Sequence, residues 1–388
     1  MQAFYLILVV FFLSLNLRPA ITSVGPLLDV IQTDLGMSGV TASLLTTLPV
    51  FCMGVFALVS IKLSNKLGTE KSLMVAMFLI FLATVSRVFL NSSWLLIVTA
   101  LVSGIGIGIA GPLISGFIKK YFPDKLSITS VYSVAMVIGA SFATSFSIPF
   151  FHAFQESWQW SLSIWSVFAF IALVLLAPLL ASRNKEAKTM SLPSLKVQNK
   201  RVYLFTVLFG FVATIFYSIT AWLAPYVQSM GMSGSQSGLV LTLFTAVQIP
   251  FSFLLPLLVS RTGKRKQWLL ICILAEFVGV FFLIAVFAPW VAAVCLGFGA
   301  GGLFPLALLI PIDEASNINE ATSWSAQMQF GGFIVASMGP FIFGLALDMF
   351  NSFVPAFLLI MVILCVMTFT VIKLEKKQNK EMPQKQIS

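Results

Sequence analysis

The sequence predicts an all-α polytopic membrane protein with twelve transmembrane helices arranged as two pseudo-symmetric six-helix bundles. Three observations predict this fold class: an apolar composition, twelve apolar runs of membrane-spanning length, and a repeat that relates the first six runs to the last six. Of the 388 residues, 59% are hydrophobic and only 9% are charged, and the mean hydropathy is +1.01. This composition excludes an ordinary soluble domain.

Each apolar run is about 20 residues long, the length that a helix needs to cross a bilayer. We number the runs as spans 1 to 12, and they cover residues 4–30, 41–62, 73–90, 94–118, 127–151, 162–181, 202–227, 237–259, 268–287, 290–312, 323–347 and 354–373. All Lys and Arg residues except Arg18 and Arg87 fall in or beside the loops that share one side with both termini. The positive-inside rule therefore predicts a cell-membrane protein with cytoplasmic termini. It also accounts for the net charge of +10 without nucleic-acid binding.

The two halves carry the same short motifs at a nearly constant offset of about 195 residues. The run LGMSG at 35–39 recurs as MGMSG at 230–234. In spans 4 and 10 a glycine ladder recurs, as Gly104, Gly106, Gly108 and Pro112 in the first copy and Gly297, Gly299, Gly301 and Pro305 in the second. Duplicated halves of this kind predict a transporter whose substrate binds near the membrane midplane, between the halves.

A polar, basic segment separates the two copies. The predicted organisation is a first half at 1–181, a cytoplasmic linker at 182–200, a second half at 201–373 and a cytoplasmic tail at 374–388.

Arg18 lies near the middle of span 1, about 21 Å along the helix from Phe4. An arginine at the centre of a membrane helix costs from roughly 2.5 to above 10 kcal/mol, and such residues usually face a partner or a water-filled cavity. We therefore predict that Arg18 binds substrate; the alternative is that it only bonds carbonyl groups or a neighbouring helix. Its planar fork of five donors suits a carboxylate, a cyanate-like anion or a nitro group. Pro19 removes a backbone donor and is expected to loosen the helix beside the charge.

Candidate partners of Arg18 are polar or aromatic residues at mid-membrane positions. With Arg18, the predicted substrate-binding set is Thr22, Tyr217, Ser218, Trp222, Gln248 and Gln329. Tyr and Trp side chains offer an apolar wall with one donor, although in a chain that is 13% aromatic a packing role is the alternative. Each amide is expected either to bind a polar ligand or to bridge two helices.

Other polar residues inside the spans are expected to have structural roles. Glu276 is predicted to pack or to snorkel, with proton transfer as the alternative. Arg87 is predicted to snorkel to the outer interface, and Asn16 to bond a neighbouring helix. Asp313 and Glu314 are expected to be solvated, with an ionic latch to a basic loop as the alternative.

A polytopic membrane enzyme would need catalytic groups clustered near an interface. The chain has a single histidine, His152, which is expected in an outer loop without a ligand-spaced partner, and its four cysteines lack paired spacing. No catalytic residue, metal site or cofactor is predicted, and the enzyme class is disfavoured.

Several motifs resemble known membrane carriers. The loops at 65–71 and 260–266 resemble the cytoplasmic loop that follows the second helix of each half in the major facilitator superfamily, with Asn65 and Ser260 in its acidic position. The run NLRPAIT at 16–22, with WLAP at 222–225 and QFGG at 329–332, resembles the cyanate permease and 2-nitroimidazole transporter (CynX/NimT) family. The resemblance implies the major facilitator fold and secondary transport of a small anion or azole-like compound.

The expected function is therefore alternating-access transport of a small anion or compact polar compound bound at Arg18. A carrier for efflux of drug-like compounds is the alternative within transport. The expected partners are a small-molecule substrate and the lipid bilayer, with a coupling proton or counter-ion left open, and the chain is expected to be a monomer. The glycine ladders predict close helix contacts along which spans 4 and 10 slide or bend, with Pro112 and Pro305 as weak points.

Overall fold

The structure, a computed structural model, describes residues 2–122, 127–181, 201–314 and 318–381. All regular secondary structure in these ranges is helical, and 12 helical stretches are long and apolar enough to cross a membrane by length and composition. The predicted fold class is confirmed. The predicted linker at 182–200 and the end of the predicted tail at 382–388 lie outside the described residues.

The helices run beyond most of the predicted windows. Span 1 contains the α-helices Gln2–Leu15, Pro19–Thr22 and Leu28–Leu35, and span 6 contains Trp158–Ser163 and Ser166–Ala181. Spans 2 to 5 are single α-helices: Gly39–Leu67, Thr69–Val85, Ser93–Tyr121 and Ser127–Ala153. Spans 7 to 12 are also single α-helices: Arg201–Ser229, Gly234–Thr262, Arg265–Ile284, Pro289–Glu314, Ile318–Phe350 and Val354–Glu381. Apolar windows miss the first and last turns because these lie in the polar interface and carry polar residues.

The repeated LGMSG and MGMSG motifs each end one span and begin the next. Gly36 and Gly231 adopt left-handed backbone conformations, with φ of 59° and 92°, which glycine tolerates without strain. Ser38 and Ser233 then cap spans 2 and 8 by accepting a hydrogen bond from the backbone N–H three residues later. The repeat therefore encodes the same turn in both halves.

The glycine ladders are helix contacts within each half, and they match between the halves. The first and third glycines of each ladder pack against the second helix of their own half. In the first half, Gly104 and Gly108 pack against span 2; in the second half, Gly297 and Gly301 pack against span 8. The middle glycines face the next helix. A Cβ added to Gly106 would lie 2.7 Å from the carbonyl oxygen of Ala76 in span 3, and one added to Gly299 would lie 2.8 Å from that of Cys272 in span 9. The close contacts expected from small residues are present in both halves.

The two halves meet along spans 1, 2 and 5 on one side and spans 7, 11 and 8 on the other. We call the end of the bundle with Gly68 and Gly263 the inner end, since the sequence predicts it to be cytoplasmic, and the opposite end the outer end. Near the outer end Gly25 packs against the carbonyl group of Thr220. Deeper in the bundle, Thr144 of span 5 shares a hydrogen bond of 2.9 Å with Thr245 of span 8.

Asp348 joins the halves at the outer end. Its carboxylate, in the last turn of span 11, accepts hydrogen bonds from the backbone N–H groups of Gly39 (2.6 Å) and Val40 (2.8 Å) at the start of span 2. Gly39 and Gly344 lie in direct backbone contact there, without room for a Cβ on either residue. We call this contact the outer latch. A carboxylate at a helix N-terminus also interacts favourably with the helix dipole.

Candidate substrate site

Span 1 is interrupted at Arg18. The first helix ends at Leu15, and a new one begins at Pro19 with Arg18 as the flanking residue at φ −119° and ψ −41°. A residue before proline is disfavoured in a regular helix, and Pro19 itself has no N–H to donate. The sequence therefore breaks the helix beside the charge, in the way that Pro19 predicts.

The Arg18 side chain crosses from the first half to the second. It is 4% exposed, and its Nη1 donates a hydrogen bond of 2.6 Å to the Tyr217 hydroxyl in span 7. The Tyr217 hydroxyl in turn donates to the Met53 sulfur at 3.4 Å. The structure thus brings together two of the predicted site residues, which are 199 positions apart in the chain.

Aromatic rings of the second half surround the guanidinium group. Its central carbon lies 4.8 Å from the ring centre of Phe216, 5.2 Å from that of Tyr217 and 5.3 Å from that of Phe304. Cation–π contacts of this kind contribute about 0.5–2 kcal/mol each and increase with desolvation. We call Arg18, Phe216, Tyr217 and Phe304 the arginine cage.

No carboxylate neutralises Arg18 within the described part of the chain. The ion pairs found there join Lys120 to Glu70, His152 to Glu156 and Arg201 to Glu314, all at the ends of the bundle. The arginine cage therefore holds a buried positive charge that one neutral acceptor, the Tyr217 hydroxyl, and aromatic faces solvate only in part. An anion, or a polar group with strong acceptors, would complete its coordination.

Thr22 supports the interrupted segment and does not contact the guanidinium group. Its hydroxyl donates to the carbonyl oxygen of Arg18 at 3.2 Å and lies 3.5 Å from that of Ala140 in span 5. Its role in the geometry is to hold the backbone that carries Arg18.

Arg87 does not reach the outer interface, contrary to the prediction. It is 1% exposed; its Nη1 donates to the carbonyl oxygen of Ala20 at 3.1 Å and its Nε to the Thr99 hydroxyl at 3.3 Å. The Ala20 carbonyl is available because the N–H of Val24 bonds to Ile21 instead. A buried acceptor freed by the irregular helix thus makes snorkelling unnecessary.

Ser218 and Trp222 face span 11, away from the arginine cage. Ser218 packs against Gly339, and among the described residues its buried hydroxyl has no hydrogen-bond partner. The Trp222 indole donates to the carbonyl oxygen of Pro340 at 2.9 Å, and its ring packs on Phe353. The structure gives both residues a place in the contact between spans 7 and 11.

The two predicted amides occupy different environments. Gln248 is buried, and its amide donates to the carbonyl oxygen of Phe244 in its own helix at 3.0 Å. At the offset of the repeat it corresponds to Met53, which contacts Tyr217. Gln329 is half-buried, whereas Gln327 is 8% exposed.

Three further residues differ from the sequence-based expectations. Asn16 donates to the carbonyl oxygen of Phe12 in its own helix, at 2.7 Å, and not to a neighbouring helix. Glu314 is not solvated: it pairs with Arg201 at 3.0 Å, and both side chains are mostly buried. His152 lies in the last turn of span 5 and contacts Glu156 at 2.7 Å.

Glu276 packs inside the bundle, one of the two structural roles predicted for it, and does not snorkel. It is 1% exposed and packs against Gly299, and neither carboxyl oxygen has a hydrogen-bond partner among the described residues. Packing against Gly299 keeps it inside the bundle, away from either interface.

Four contributors to the site were not predicted: Met53, Phe216, Phe304 and Arg87. Phe304 occupies the repeat position of Gly111, so the repeat gave no signal for an aromatic residue there. With 38 phenylalanines in the chain, no single one stands out by composition.

Comparison with known proteins places the chain in a family. The profile of the Major Facilitator Superfamily matches residues 4–340. The chain belongs to this superfamily. Its members are transporters, and the sequence-based predictions of a transporter and of this family are confirmed.

Characterised and uncharacterised transporters are similar to this transporter over most of their length. The cyanate transport protein CynX of Escherichia coli (strain K12) is 31% identical, over 87% of this chain and 89% of the relative. The 2-nitroimidazole transporter of the same organism is 27% identical, over 85% and 84%. The uncharacterized transporter YycB of Bacillus subtilis (strain 168) is 30% identical, over 94% and 92%.

Solved structures share the fold. A D-xylose–proton symporter matches with a TM-score of 0.75 and 16% identity, over 96% of this transporter and 97% of that chain. The nucleoside transporter NupG matches with a TM-score of 0.72 and 14% identity, over 96% and 98%. At this level of identity the likeness concerns the fold alone.

Proposed function

We propose that this transporter carries a small anion, or a compact flat compound with strong hydrogen-bond acceptors, by alternating access, and that the substrate binds at the arginine cage. The proposal rests mainly on the buried guanidinium group of Arg18, which bridges the two halves without a carboxylate partner among the described residues. A charge this costly to bury is usually retained for a ligand.

The chemistry of the cage favours a small, flat guest. The guanidinium fork offers parallel N–H donors to two acceptor atoms, as a carboxylate, cyanate or nitro group presents them. Phe216, Tyr217 and Phe304 add aromatic faces against which a planar molecule can stack. Two relatives whose names include cyanate and 2-nitroimidazole agree with this class. The absence of a central carboxylate among the described residues argues against a cationic drug.

The contacts between the halves support alternating access. Arg18 and Tyr217 come from opposite halves, so a guest that binds both couples its own binding to the distance between the halves. The outer latch closes the outer end, and the inner loops lie at the other end of the same bundle. We assign the glycine ladders, with Pro112 and Pro305, to small adjustments within each half while the halves rock about the site.

The remaining predicted residues take supporting roles in this proposal. Ser218 and Trp222 set the contact between spans 7 and 11, Thr22 holds the interrupted backbone, and Gln248 and Gln329 supply polar groups on spans 8 and 11 when a guest is bound.

A binding experiment tests the site. Purified transporter is heated with sodium cyanate, 2-nitroimidazole or sodium chloride, and the apparent melting temperature is followed; a ligand of the folded state raises it. We expect a ligand-dependent rise for cyanate or 2-nitroimidazole that Arg18→Gln reduces at least tenfold in apparent affinity. Arg261→Gln is the matched control, since it removes the same charge from an exposed position in the last turn of span 8.

A second variant separates binding from folding. Tyr217→Phe keeps the ring but removes the oxygen that accepts from Arg18, so it should fold and bind about 10–100-fold more weakly, the effect of one charge-assisted hydrogen bond. Arg18→Gln and Tyr217→Phe variants that both bind like the parent transporter would refute the assignment of the arginine cage.

A further inference from the structure

Glu276 is a buried ionisable group that the proposed transport site does not use. Among the described residues, the buried side chains of the charged types are Arg18, Arg87 and Glu276. Both arginines donate hydrogen bonds, whereas neither carboxyl oxygen of Glu276 has a partner in that part of the chain. An ionised carboxylate in such a place is so costly that the group neutralises by taking up a proton.

The first half shows that this position can be packed without a carboxyl group. Glu276 packs against Gly299, the middle glycine of the second ladder, and Ile80 packs against Gly106, the middle glycine of the first ladder. In both halves the contact also includes the carbonyl group four residues earlier in the same helix, so the two positions are equivalent in space. Because an apolar side chain fills the position in one half, the carboxyl group in the other half has a role besides filling space.

The titratable groups around Glu276 are thiols. Spans 8, 10 and 12 pack against span 9. Within the membrane part of these four spans, the described titratable groups besides Glu276 are Cys272, Cys295 and Cys365. The described charged side chains of these spans and of the loop between spans 8 and 9 are Arg261, Lys264, Arg265, Lys266, Glu314 and Lys373, all at the inner end. On span 9 itself, Lys266 lies about 15 Å from Glu276 along the helix axis.

A cavity at the inner end approaches Glu276. It has an empty volume of about 690 Å³, and its wall includes Leu269 of span 9 and Ile310 of span 10. Leu269 and Glu276 lie on the same face of span 9, about 10 Å apart along its axis, with Cys272 between them. A proton that enters this inner cavity therefore has about two helical turns to cross before it reaches the carboxyl group.

Span 10 connects Glu276 to the arginine cage. Gly299 and Phe304 belong to one continuous helix and lie about 7.5 Å apart along its axis. The ring centre of Phe304 is 5.3 Å from the central carbon of the Arg18 guanidinium group. An ionised Glu276 needs water or a donor, and its contact with Gly299 leaves no room for either. Span 10 then has to move away from span 9, and Phe304 moves with it.

We infer that Glu276 is a proton-binding site of the transporter, and that it takes up and releases its proton together with the anion at the arginine cage. Neutral Glu276 keeps span 10 packed and Phe304 against Arg18. Loss of the proton to the inner cavity loosens span 10 and lowers the affinity of the cage. One proton and a monovalent anion carry no net charge together, so the membrane potential does not oppose their joint movement. The coupling rests on the proposed function, whereas the proton site does not.

Infrared spectroscopy of the full-length transporter in lipid vesicles tests the proton site. A neutral carboxylic acid has its own C=O stretching band, and exposed acids are ionised at neutral pH. We expect the parent protein to show this band at neutral pH and to lose it as the pH rises. Glu276→Gln should lack the band. Glu156→Gln, the matched control that removes an exposed carboxyl group at the outer end, should keep it. The same band in Glu276→Gln, or no band in the parent protein, would overturn the proton site.

Binding of sodium cyanate, followed by the shift in melting temperature, tests the coupling. Linkage to one proton predicts that the apparent affinity of the parent protein falls about tenfold per pH unit once Glu276 begins to lose its proton. Glu276→Gln stays neutral and should keep the affinity of the acidic parent protein at every pH. Equal pH dependence in the two proteins, or none in the parent protein, would overturn the coupling.

Arg18→Gln separates the two parts of the inference. It should lose cyanate binding and keep the infrared band of Glu276, because the carboxyl group does not contact the arginine cage. Loss of the band in Arg18→Gln would contradict an independent proton site. The band in a parent protein that binds no cyanate at any pH would refute the proposed function for this anion, and the coupling with it, while it supports the proton site.

Discussion

Asp348→Asn is the sharpest perturbation of the proposed transport cycle. The Asp348 carboxylate reaches from the second half to the first and accepts from Gly39 and Val40 at 2.6 and 2.8 Å. The amide keeps one acceptor oxygen, so the variant loses one of the two bonds and the negative charge at the helix N-terminus. A charge at an exposed helix N-terminus contributes about 0.3–1 kcal/mol and a hydrogen bond about 0.5–1.5 kcal/mol.

Because the outer latch is partly solvated, we exclude the extremes of both ranges, and the two contributions together come to about 1–2 kcal/mol. The outer latch should then open about 5–30-fold more often, since each 1.4 kcal/mol is a factor of ten. We propose to measure this by electron paramagnetic resonance distances between nitroxide labels at Asn91 and Phe287, on outer loops of the two halves. Asp348→Asn should increase the long-distance population.

Asp34→Asn is the matched control for this experiment. Asp34 also lies at the outer end, but it accepts from the Trp158 indole at 2.7 Å within the first half. The control should leave the distance distribution unchanged. An unchanged distribution in Asp348→Asn, or the same change in both variants, would refute the latch.

Three further predictions follow from buried groups. Arg87→Gln should lower the transport rate at saturating substrate more than it changes the apparent affinity, because Arg87 positions the Ala20 carbonyl beside the interrupted helix. Arg87→Lys should restore part of the rate. Equal effects of the Gln and Lys substitutions would contradict this role. Glu276→Ile should raise the apparent melting temperature by a few degrees, because a buried carboxyl without a hydrogen bond costs about 1–3 kcal/mol. The residue that packs against the middle glycine of the first ladder, as Glu276 does in the second, is Ile80. A lower melting temperature would refute the reasoning. Gly299→Ala should destabilise the protein by about 1–3 kcal/mol, because the added methyl group overpacks against Glu276; thermal denaturation measures this loss. The loss of stability should be smaller in a Glu276→Ala background. A loss that does not depend on Glu276 would show that the contact with Cys272 dominates.

The fold could be predicted from the sequence because it depends on features that repeat. Twelve apolar runs give the number of helices, and the LGMSG copy marks a turn whose glycine conformation and serine cap recur in both halves. The helix ends could not be placed as well, since polar residues continue a membrane helix into the interface. The close helix contacts predicted at the glycine ladders are also present, because a residue without a Cβ lets two helix backbones approach each other closely at that position.

Of the arginine cage, only Arg18 and Tyr217 were predictable from the sequence. Arg18 stood out because a charge in the middle of a membrane helix is costly, and Tyr217 because a mid-membrane tyrosine offers an apolar wall with one donor. Phe216 and Phe304 gave no signal among many similar residues, and Arg87 was misplaced because no sequence pattern reveals that the Ala20 carbonyl lacks its usual helical partner. Buried polar contacts depend on the exact path of the backbone, which a single sequence does not specify.

The most direct test of the central claim is to locate a bound anion in a crystal. Selenocyanate resembles cyanate in shape and charge, and its selenium atom gives an anomalous signal that identifies it without ambiguity. The account predicts an anomalous peak between the two halves within about 4 Å of the Arg18 guanidinium group, the reach of a hydrogen bond to a soft acceptor, and its loss in Arg18→Gln. A peak elsewhere in the bundle, or an unchanged peak in the variant, would contradict the account.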